Sequence, residues 1–195
     1  MLKADKWHSL VTAAGQLFHR QGYEQTSLAD IASAAQVPLG NVYYYFKTRD
    51  ELLKAVVEER LKASRAKRAA LEALASPRER LLALVAGFEE GVEENTAFGC
   101  PMGSLCQETN KQGGEAASEA AGPLRDVLEW VTRQFRAMGF REKEARENAA
   151  RLIGARQGST LLANTFKDPQ YIRMEIVRLK EWLSALPANK ERKKT

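Results

Sequence analysis

Residues 26–52 constrain the fold of this chain more than any other stretch. Ser27 with Asp30 forms a variant capping box, which predicts the start of a short helix. Pro38 suits the first turn of a second short helix, and a third helix begins soon afterwards. Two short helices joined by a tight turn are typical of the helix-turn-helix motif, in which the second helix enters the major groove of DNA.

Apolar residues recur at helical spacing along almost the whole chain of 195 residues, and no convincing alternating strand pattern appears. The sequence therefore predicts an all-α fold of about nine helices, three compact ones followed by six longer ones. Ser76 and Pro77 predict the start of one helix that continues to Val92, whereas the stretch 96–123 predicts a short helix near 101–111 and then a loop. We expect a DNA-binding domain over residues 1–48 and a second helical domain over residues 49–195.

The composition excludes several classes of protein. With 44% hydrophobic and 28% charged residues, the chain is neither disordered nor collagen-like. No apolar run approaches the roughly 18 residues that a membrane helix needs, and the N-terminus carries no signal-peptide core. We therefore expect a cytoplasmic protein whose two cysteines are reduced. The net charge of +5 favours a polyanionic partner only weakly.

The proposed reading helix runs from Pro38 to Phe46. In that helix Asn41 can read adenine through paired hydrogen bonds, and Leu39 can touch a thymine methyl group. Gly40 permits a close approach of the backbone to DNA. The proposed contacts to phosphates are Thr26, Ser27, Tyr43, Tyr44, Lys47 and Arg49.

Alternative interpretations of this segment stay open. Its three consecutive tyrosines could form core or a surface for a protein partner, but in so short a helix they cannot all face inward. Val42 and Phe46, four residues apart, fit the core face better than the tyrosines do. Asn41 could be an ordinary surface residue.

Residues 7–53 resemble the N-terminal domain of the tetracycline-repressor (TetR) family. The residues that carry this resemblance are Ala13-Ala14, Leu17-Phe18, Gly22-Tyr23, Thr26-Ser27, Asp30-Ile31-Ala32, Ala35, Val37, Gly40, Val42-Tyr43-Tyr44-Tyr45-Phe46, Lys47-Thr48-Arg49 and Glu51-Leu52-Leu53. The resemblance implies an all-helical homodimer that binds a palindromic DNA operator, usually as a repressor. It also implies that the larger domain dimerises and binds an effector, which releases the DNA.

Two residues depart from common choices in this family. Leu39 stands where many members have a polar or basic residue, and Ala29 stands where some members place a base-reading arginine. We therefore expect few direct base contacts and a greater dependence on phosphates and on DNA shape.

The resemblance places the dimer interface on the last two long helices. Ala150, Gly154 and Gly158 recur every four positions there, which predicts a smooth groove for a second helix. The predicted interface residues are Ala150, Gly154, Gly158, Leu161, Ile172, Ile176, Leu179 and Trp182. The alternative is that these faces pack within one chain.

Two cysteines offer an alternative mode of sensing. Pro101 at a first helical position would make Cys100 the helix cap, where the helix N-terminus favours a thiolate. Some family members with a similar Gly-Cys-Pro segment respond to electrophiles or oxidants. A continuous helix would separate the α-carbons of Cys100 and Cys106 by about 9 Å, beyond the roughly 7 Å limit for a disulfide. The plainer interpretation is two buried cysteines that act as small apolar residues.

A conventional effector would be a small, mainly apolar molecule bound between the middle helices. The candidate lining residues are Phe88, Val92, Met102, Leu105, Trp130, Phe135, Gln157 and Phe166. Aromatic residues at helical spacing more often belong to the core than to a pocket. Arg156 could pair with an anionic ligand or could be an exposed charge.

Functions of other classes find less support in the sequence. The chain has two histidines, His8 and His19, and it carries no nucleophile motif, Gly-rich phosphate loop or metal-ligand spacing. We therefore expect no enzyme activity, no metal and no cofactor. A protein-interaction module that kept the fold but lost DNA binding is the other alternative, although Tyr43, Lys47 and Arg49 argue against it.

Overall fold

The computed structural model describes residues 3–187 of the chain. Within that range the backbone forms eleven α-helices and one 3₁₀ helix, and no strand. The all-α prediction is confirmed. None of these helices is long and apolar enough to cross a membrane.

The helices follow one another with short connections. Their bounds are α1 Lys3–Arg20, α2 Leu28–Ala34, α3 Leu39–Tyr45, α4 Arg49–Leu71, α5 Pro77–Ala86, α6 Val92–Phe98, α7 Pro101–Gln112, α8 Gly114–Ala120, α9 Gly122–Ala137, α10 Glu142–Phe166 and α11 Gln170–Ala185. The 3₁₀ helix, Gly87–Gly91, lies between α5 and α6.

Two predicted helix starts are present with the expected hydrogen bonds. At the start of α2, the Ser27 hydroxyl accepts from the Asp30 N–H at 3.1 Å, and the Asp30 carboxylate accepts from the Ser27 N–H at 2.8 Å. At the start of α5, the Ser76 hydroxyl accepts from the Glu79 N–H at 3.2 Å, and Pro77 is the first helical residue. Both caps form because they need residues only three positions apart.

The structure divides the chain more finely than predicted in two places. The helix expected to run from Pro77 to Val92 is interrupted by the 3₁₀ turn, which has a glycine at each end. Glycine weakens an α-helix because it gives up the most backbone freedom on folding. The loop expected after residue 111 contains α8, which begins at Gly114. Gly113 and Gly114 have φ values of 74° and 76°.

The described residues form two compact units. The first unit takes residues 3–63 and 100–124, and the second takes residues 64–99 and 125–187. The first unit is thus larger than the domain expected to end at residue 48. The reason is that Leu105 and Cys106 of α7 and Ala120 of α8 are buried in the same core as α1–α4.

The second unit has a core of its own. Leu81 of α5, Phe135 of α9, Leu152 of α10 and Leu183 of α11 have no exposed surface. Helix α11 packs against α10 and α5. The apolar stripes of these helices therefore cover one another within the chain.

Candidate nucleic-acid interface

The turn between α2 and α3 is stabilised by backbone geometry and by core residues. Gln36 has a φ of 55°, in the left-handed region, which reverses the chain direction after α2. The Val37 N–H donates to the Ala32 carbonyl at 2.9 Å. On α3, Val42 is fully buried, and the adjacent Phe46 is nearly so. These inward residues determine which face of α3 points away from the core.

The opposite face of α3 is exposed and largely apolar. The exposed fractions of Leu39, Tyr43 and Tyr44 are 41%, 47% and 61%. Gly40 is exposed as well, and a Cβ placed on it would meet no atom within 4 Å. Asn41 lies at the edge of this face and is half-buried. The structure thus brings four of the five α3 residues that were predicted to contact DNA, all but Asn41, onto one exposed surface.

Lys47 extends this surface with a positive charge. It is exposed, and its ammonium group donates to the carbonyl of Tyr43 at the end of α3. A cation at this position is favourable because the last carbonyls of a helix carry partial negative charge. The Lys47 N–H donates to the Glu51 carboxylate at 2.7 Å, which fixes the start of α4.

The two residues before α2, Thr26 and Ser27, differ in how far they are exposed for a contact with DNA. Thr26 is 1% exposed, and its hydroxyl donates to the Gly22 carbonyl at 2.6 Å. The Thr26 hydroxyl was expected to contact a phosphate. That expectation is corrected, because the hydroxyl is hydrogen-bonded within the turn that precedes α2. Ser27 is exposed, and its hydrogen bonds hold the pKa of the Asp30 carboxyl below its usual range.

Arg49 requires a second correction. It was expected to contact a phosphate, but its guanidinium points into the protein. It donates to the carbonyls of Tyr23 and Glu24 at 3.1 Å and to that of Thr26 at 3.4 Å. The guanidinium also lies 4.2 Å from the centre of the Tyr23 ring. Arg49 therefore holds together the turn between α1 and α2.

Tyr23 completes this turn and was not singled out from the sequence as a functional residue. Its ring is buried edge-on against Phe18, and its hydroxyl donates to the Asp50 carboxylate. Burial, together with this hydrogen bond to Asp50, raises the pKa of Tyr23 to about 12. No local pattern could reveal the contact, because the two partners are 27 residues apart.

The predicted dimer residues fall into two groups. Ala150, Gly154, Gly158 and Leu161 of α10 are exposed, and a Cβ on either glycine would meet no atom within 4 Å. The α11 residues Ile172, Ile176 and Leu179 are instead buried in their own chain.

The assignment of those three residues to an interface is corrected, since a residue buried in the protomer core has no surface left for a partner. The exposed apolar residues of α11 are Met174 and Val177, at 45% and 54%. Trp182 is half-buried, with its ring 5.8 Å from that of Phe135 and 4.4 Å from the guanidinium of Arg151.

Four of the eight predicted effector residues serve the packing of the chain. Val92, Leu105, Trp130 and Phe135 are buried core residues, Met102 and Gln157 are half-buried, and Phe166 is 61% exposed. The Trp130 indole donates to the Glu72 carboxylate at 2.8 Å. Met102 and Leu105 belong to the first unit and the other six residues to the second, so the eight do not share one unit.

Phe88 lines a partly open recess in the second unit. The guanidinium of Arg156 lies 4.2 Å from the centre of the Phe88 ring. The lining residues are Phe88, Arg156, Ser159, Ile172, Glu175, Ile176 and Leu179. The recess encloses essentially no space for even a water-sized molecule, so it is not a preformed ligand pocket.

Both cysteines are buried thiols. Cys100 caps α7 as predicted, and its sulfur accepts from the Gly103 N–H at 3.4 Å. Cys106 donates to the Ala120 carbonyl at 3.1 Å, and burial raises the pKa of its thiol. The helix is continuous from Pro101 through Cys106, and neither cysteine is in a disulfide.

Two family models match this chain. The model of bacterial regulatory proteins of the tetR family matches residues 10–56, which include α2 and α3. The model of the C-terminal domain of LmrA/YxaF-like transcriptional regulators matches residues 77–175, about half of the chain. The chain belongs to the TetR family of transcriptional regulators. The exposed face of α3 is thus part of a DNA-binding helix-turn-helix.

Two relatives with similar sequences support membership of the TetR family. The HTH-type transcriptional regulator LmrA of Bacillus subtilis is 30% identical over 179 residues, covering 86% of this chain and 91% of that protein. An uncharacterized HTH-type regulator of Lactococcus lactis subsp. lactis is 26% identical over 165 residues, covering 82% of this chain and 83% of that protein.

A solved structure shows the same TetR fold. A TetR transcriptional regulator from Chloroflexus aurantiacus J-10-FL superposes with a TM-score of 0.82, covering 93% of this chain and 96% of that one. At 18% identity, this likeness shows the fold alone. The TetR family consists of transcription regulators, which are not enzymes.

Proposed function

We propose that this TetR-family protein is a ligand-responsive repressor that binds a palindromic operator as a homodimer. A small effector in the second unit would release it from DNA. The observation that carries the DNA-binding part is the exposed face of α3, where Leu39, Tyr43 and Tyr44 stand outward from a helix anchored by buried Val42. Large apolar side chains exposed on so small a surface indicate a partner.

The chemistry of this face fits the major groove. Leu39 offers an apolar contact to a thymine methyl group, and exposed Gly40 lets the backbone come close to DNA. The hydroxyls of Tyr43 and Tyr44 and the ammonium of Lys47 can bind phosphate oxygens. Asn41 is half-buried, so we assign base reading chiefly to apolar contact and DNA shape.

A second copy of the chain is the proposed partner of α10 and α11. Leu161, Phe166, Met174 and Val177 expose between 45% and 61% of their surface there. Gly154 and Gly158 leave open space beside α10, which allows another helix to come close. A palindromic operator requires two reading helices related by a two-fold axis, and such a dimer supplies them.

The proposed effector is small and mainly apolar. Phe88, Ile172, Ile176 and Leu179 give the recess apolar walls, and Arg156, Ser159 and Glu175 add polar groups to its lining. Because the recess encloses almost no space, an effector would have to separate α11 from its neighbours on binding.

The test is the selection of bound sequences from random duplex DNA by purified protein. Wild type is compared with Tyr43→Ala, which removes the side chain, and with Tyr43→Phe, which keeps the ring and removes the hydroxyl. We expect a palindromic motif for wild type, no motif for Tyr43→Ala, and a weaker version of the same motif for Tyr43→Phe. Thermal unfolding checks that both variants remain folded.

Two results would contradict the proposal. Failure of wild type to enrich any sequence at low salt would favour a protein-interaction module, since DNA binding is strongest when salt is low. Enrichment of single half-sites without a palindrome would remove the dimeric part of the proposal.

A further inference from the structure

Glu108 of α7 contacts the turn between α1 and α2, although the two are far apart in the sequence. Its Oε2 atom accepts the N–H of Tyr23 at 2.8 Å and the N–H of Glu24 at 3.3 Å. Glu108 lies outside the stretch 10–56 that matches the DNA-binding family model. Nothing in the helix-turn-helix pattern therefore points to it.

The backbone of this turn is shaped to receive the carboxylate. Gly22 has a φ of +95°, and a Cβ placed on it would lie 3.0 and 3.2 Å from the two Glu108 oxygens. A side chain at residue 22 would thus be strained and would also crowd Glu108. With Gly22 in this conformation, two successive N–H groups converge on one oxygen, an arrangement that favours an anion.

Arg49 binds the other polar groups of the same turn. Its guanidinium donates to the carbonyls of Tyr23, Glu24 and Thr26. Glu108 thus accepts hydrogen bonds from N–H groups of the turn, and Arg49 donates hydrogen bonds to its carbonyls. The turn leads directly into α2, so its shape sets where α2 begins and how α2 and α3 lie against α1.

A second contact fixes the start of α7. The Arg60 guanidinium donates to the Pro101 carbonyl at 2.9 Å and to the Gly15 carbonyl of α1 at 2.8 Å. Between the two contacts, Leu105 is buried in the first unit. Helix α7 is therefore attached to α1 at its first turn through Arg60 and to the α1–α2 turn through Glu108.

We propose that Glu108 is a positioning residue for DNA binding, which sets the orientation of α2 and α3 by closing the α1–α2 turn. The proposal rests on the proposed operator binding. The proposal predicts a distinctive change in DNA affinity when Glu108 is replaced. Removing a negative charge should by itself strengthen binding to DNA. If Glu108 positions the reading helix, its removal weakens binding to the operator instead.

The experiment uses full-length Glu108→Ala and Glu108→Gln, with Glu115→Ala as the matched control. Glu115 is an exposed residue of α8, so its replacement removes the same charge without touching the turn. Affinity is measured for the duplex selected by wild type and for a scrambled duplex of the same composition, at one salt concentration.

We expect Glu108→Ala to bind the selected duplex about tenfold more weakly than Glu115→Ala does. Glu108→Gln should lose less, since its amide oxygen can still accept one N–H. Both variants should bind the scrambled duplex like the control. Equal or tighter binding of Glu108→Ala to the selected duplex would overturn the proposal.

A measurement without DNA separates this proposal from the operator proposal. We expect amide hydrogen exchange at Tyr23, Glu24 and through α2 to be faster in Glu108→Ala than in wild type or Glu115→Ala. Unchanged exchange would overturn the positioning role even if wild type selects an operator. If exchange changes but wild type selects no DNA, the operator proposal fails, and the role of Glu108 is limited to closing the α1–α2 turn.

Discussion

Helices α3 and α11 both expose large apolar side chains, but they are anchored very differently. Helix α3 has seven residues and buries one of them, Val42. Helix α11 has 16 residues and buries four, at positions 172, 176, 179 and 183. Its outward residues, Met174 and Val177, stand on a helix that is already part of a core.

This difference separates recognition from stability. Most of the surface of α3 is available to a partner, so changes there should affect binding with little effect on folding. Helix α11 has an inward face that supports the chain and an outward face that can meet a second copy. Changes on the inward face of α11 should therefore lower the stability of the chain. Changes on the outward face should instead weaken the assembly of two copies.

The largest expected effect concerns the inward face of α11. Ile172→Ala should lower the free energy of unfolding by about 2–5 kcal/mol, because it leaves a cavity beside a residue that is 1% exposed. Lys180→Ala, at an exposed position of the same helix, should change it by less than about 0.5 kcal/mol. Urea unfolding at one protein concentration measures the free energy of unfolding of both variants. Equal losses of stability would contradict the distinction between a buried and an exposed face of α11.

The next effect tests the outward face of this helix pair. Gly158→Glu should weaken dimerisation about a hundredfold, because an interface would bury the new charge without a partner. Gly87→Glu is the control, since a Cβ at either glycine meets no atom within 4 Å. Analytical ultracentrifugation gives the dissociation constants. A Gly158→Glu protein that dimerises like Gly87→Glu would show that another surface forms the dimer.

A smaller effect sharpens the separation on α3. Gly40→Ala should leave the free protein as stable or more stable by about 0.5 kcal/mol, because alanine favours a helix and the site is open. The added methyl group should weaken binding to the selected duplex about tenfold by preventing close approach. Gly122→Ala, at another open helical glycine, should leave DNA affinity unchanged. Fluorescence anisotropy compares the two, and equal affinities would contradict our placement of Gly40 at the DNA.

The last effect depends on pH and comes from Tyr23 in the turn between α1 and α2. The folded state raises the pKa of Tyr23 to about 12, so it favours the neutral hydroxyl. The stability that results is complete below about pH 10 and is lost as pH rises through about 12. Tyr23→Phe removes this dependence, so the urea midpoints of wild type and variant should converge above about pH 10. A constant difference between the midpoints from about pH 8 to pH 12 would contradict the assigned cause.

Local chemistry made much of the fold predictable. The caps at Ser27 and Ser76 depend on residues three positions apart, and both are present. The inward positions of Val42 and Phe46 follow from their spacing of four residues, and both are buried. The 3₁₀ turn at Gly87–Gly91 was not predicted, because helical periodicity continues through it.

The partners of long polar side chains were not predictable. Arg49 resembles a surface cation in the sequence, yet it donates to carbonyls more than 20 residues away. Glu108 is further still from its partners in the chain. Such contacts depend on how helices are arranged in space, which no short pattern records.

The sequence by itself determined the family, the all-helical fold and the outward face of α3, because caps, periodicity and motif residues act over a few positions. Tertiary structure alone decided that Ile172, Ile176 and Leu179 face their own chain and that Arg49 and Glu108 close one turn. Periodicity identifies an apolar face but does not say what covers it. That choice is made when helices distant in the sequence pack together and bury their surfaces.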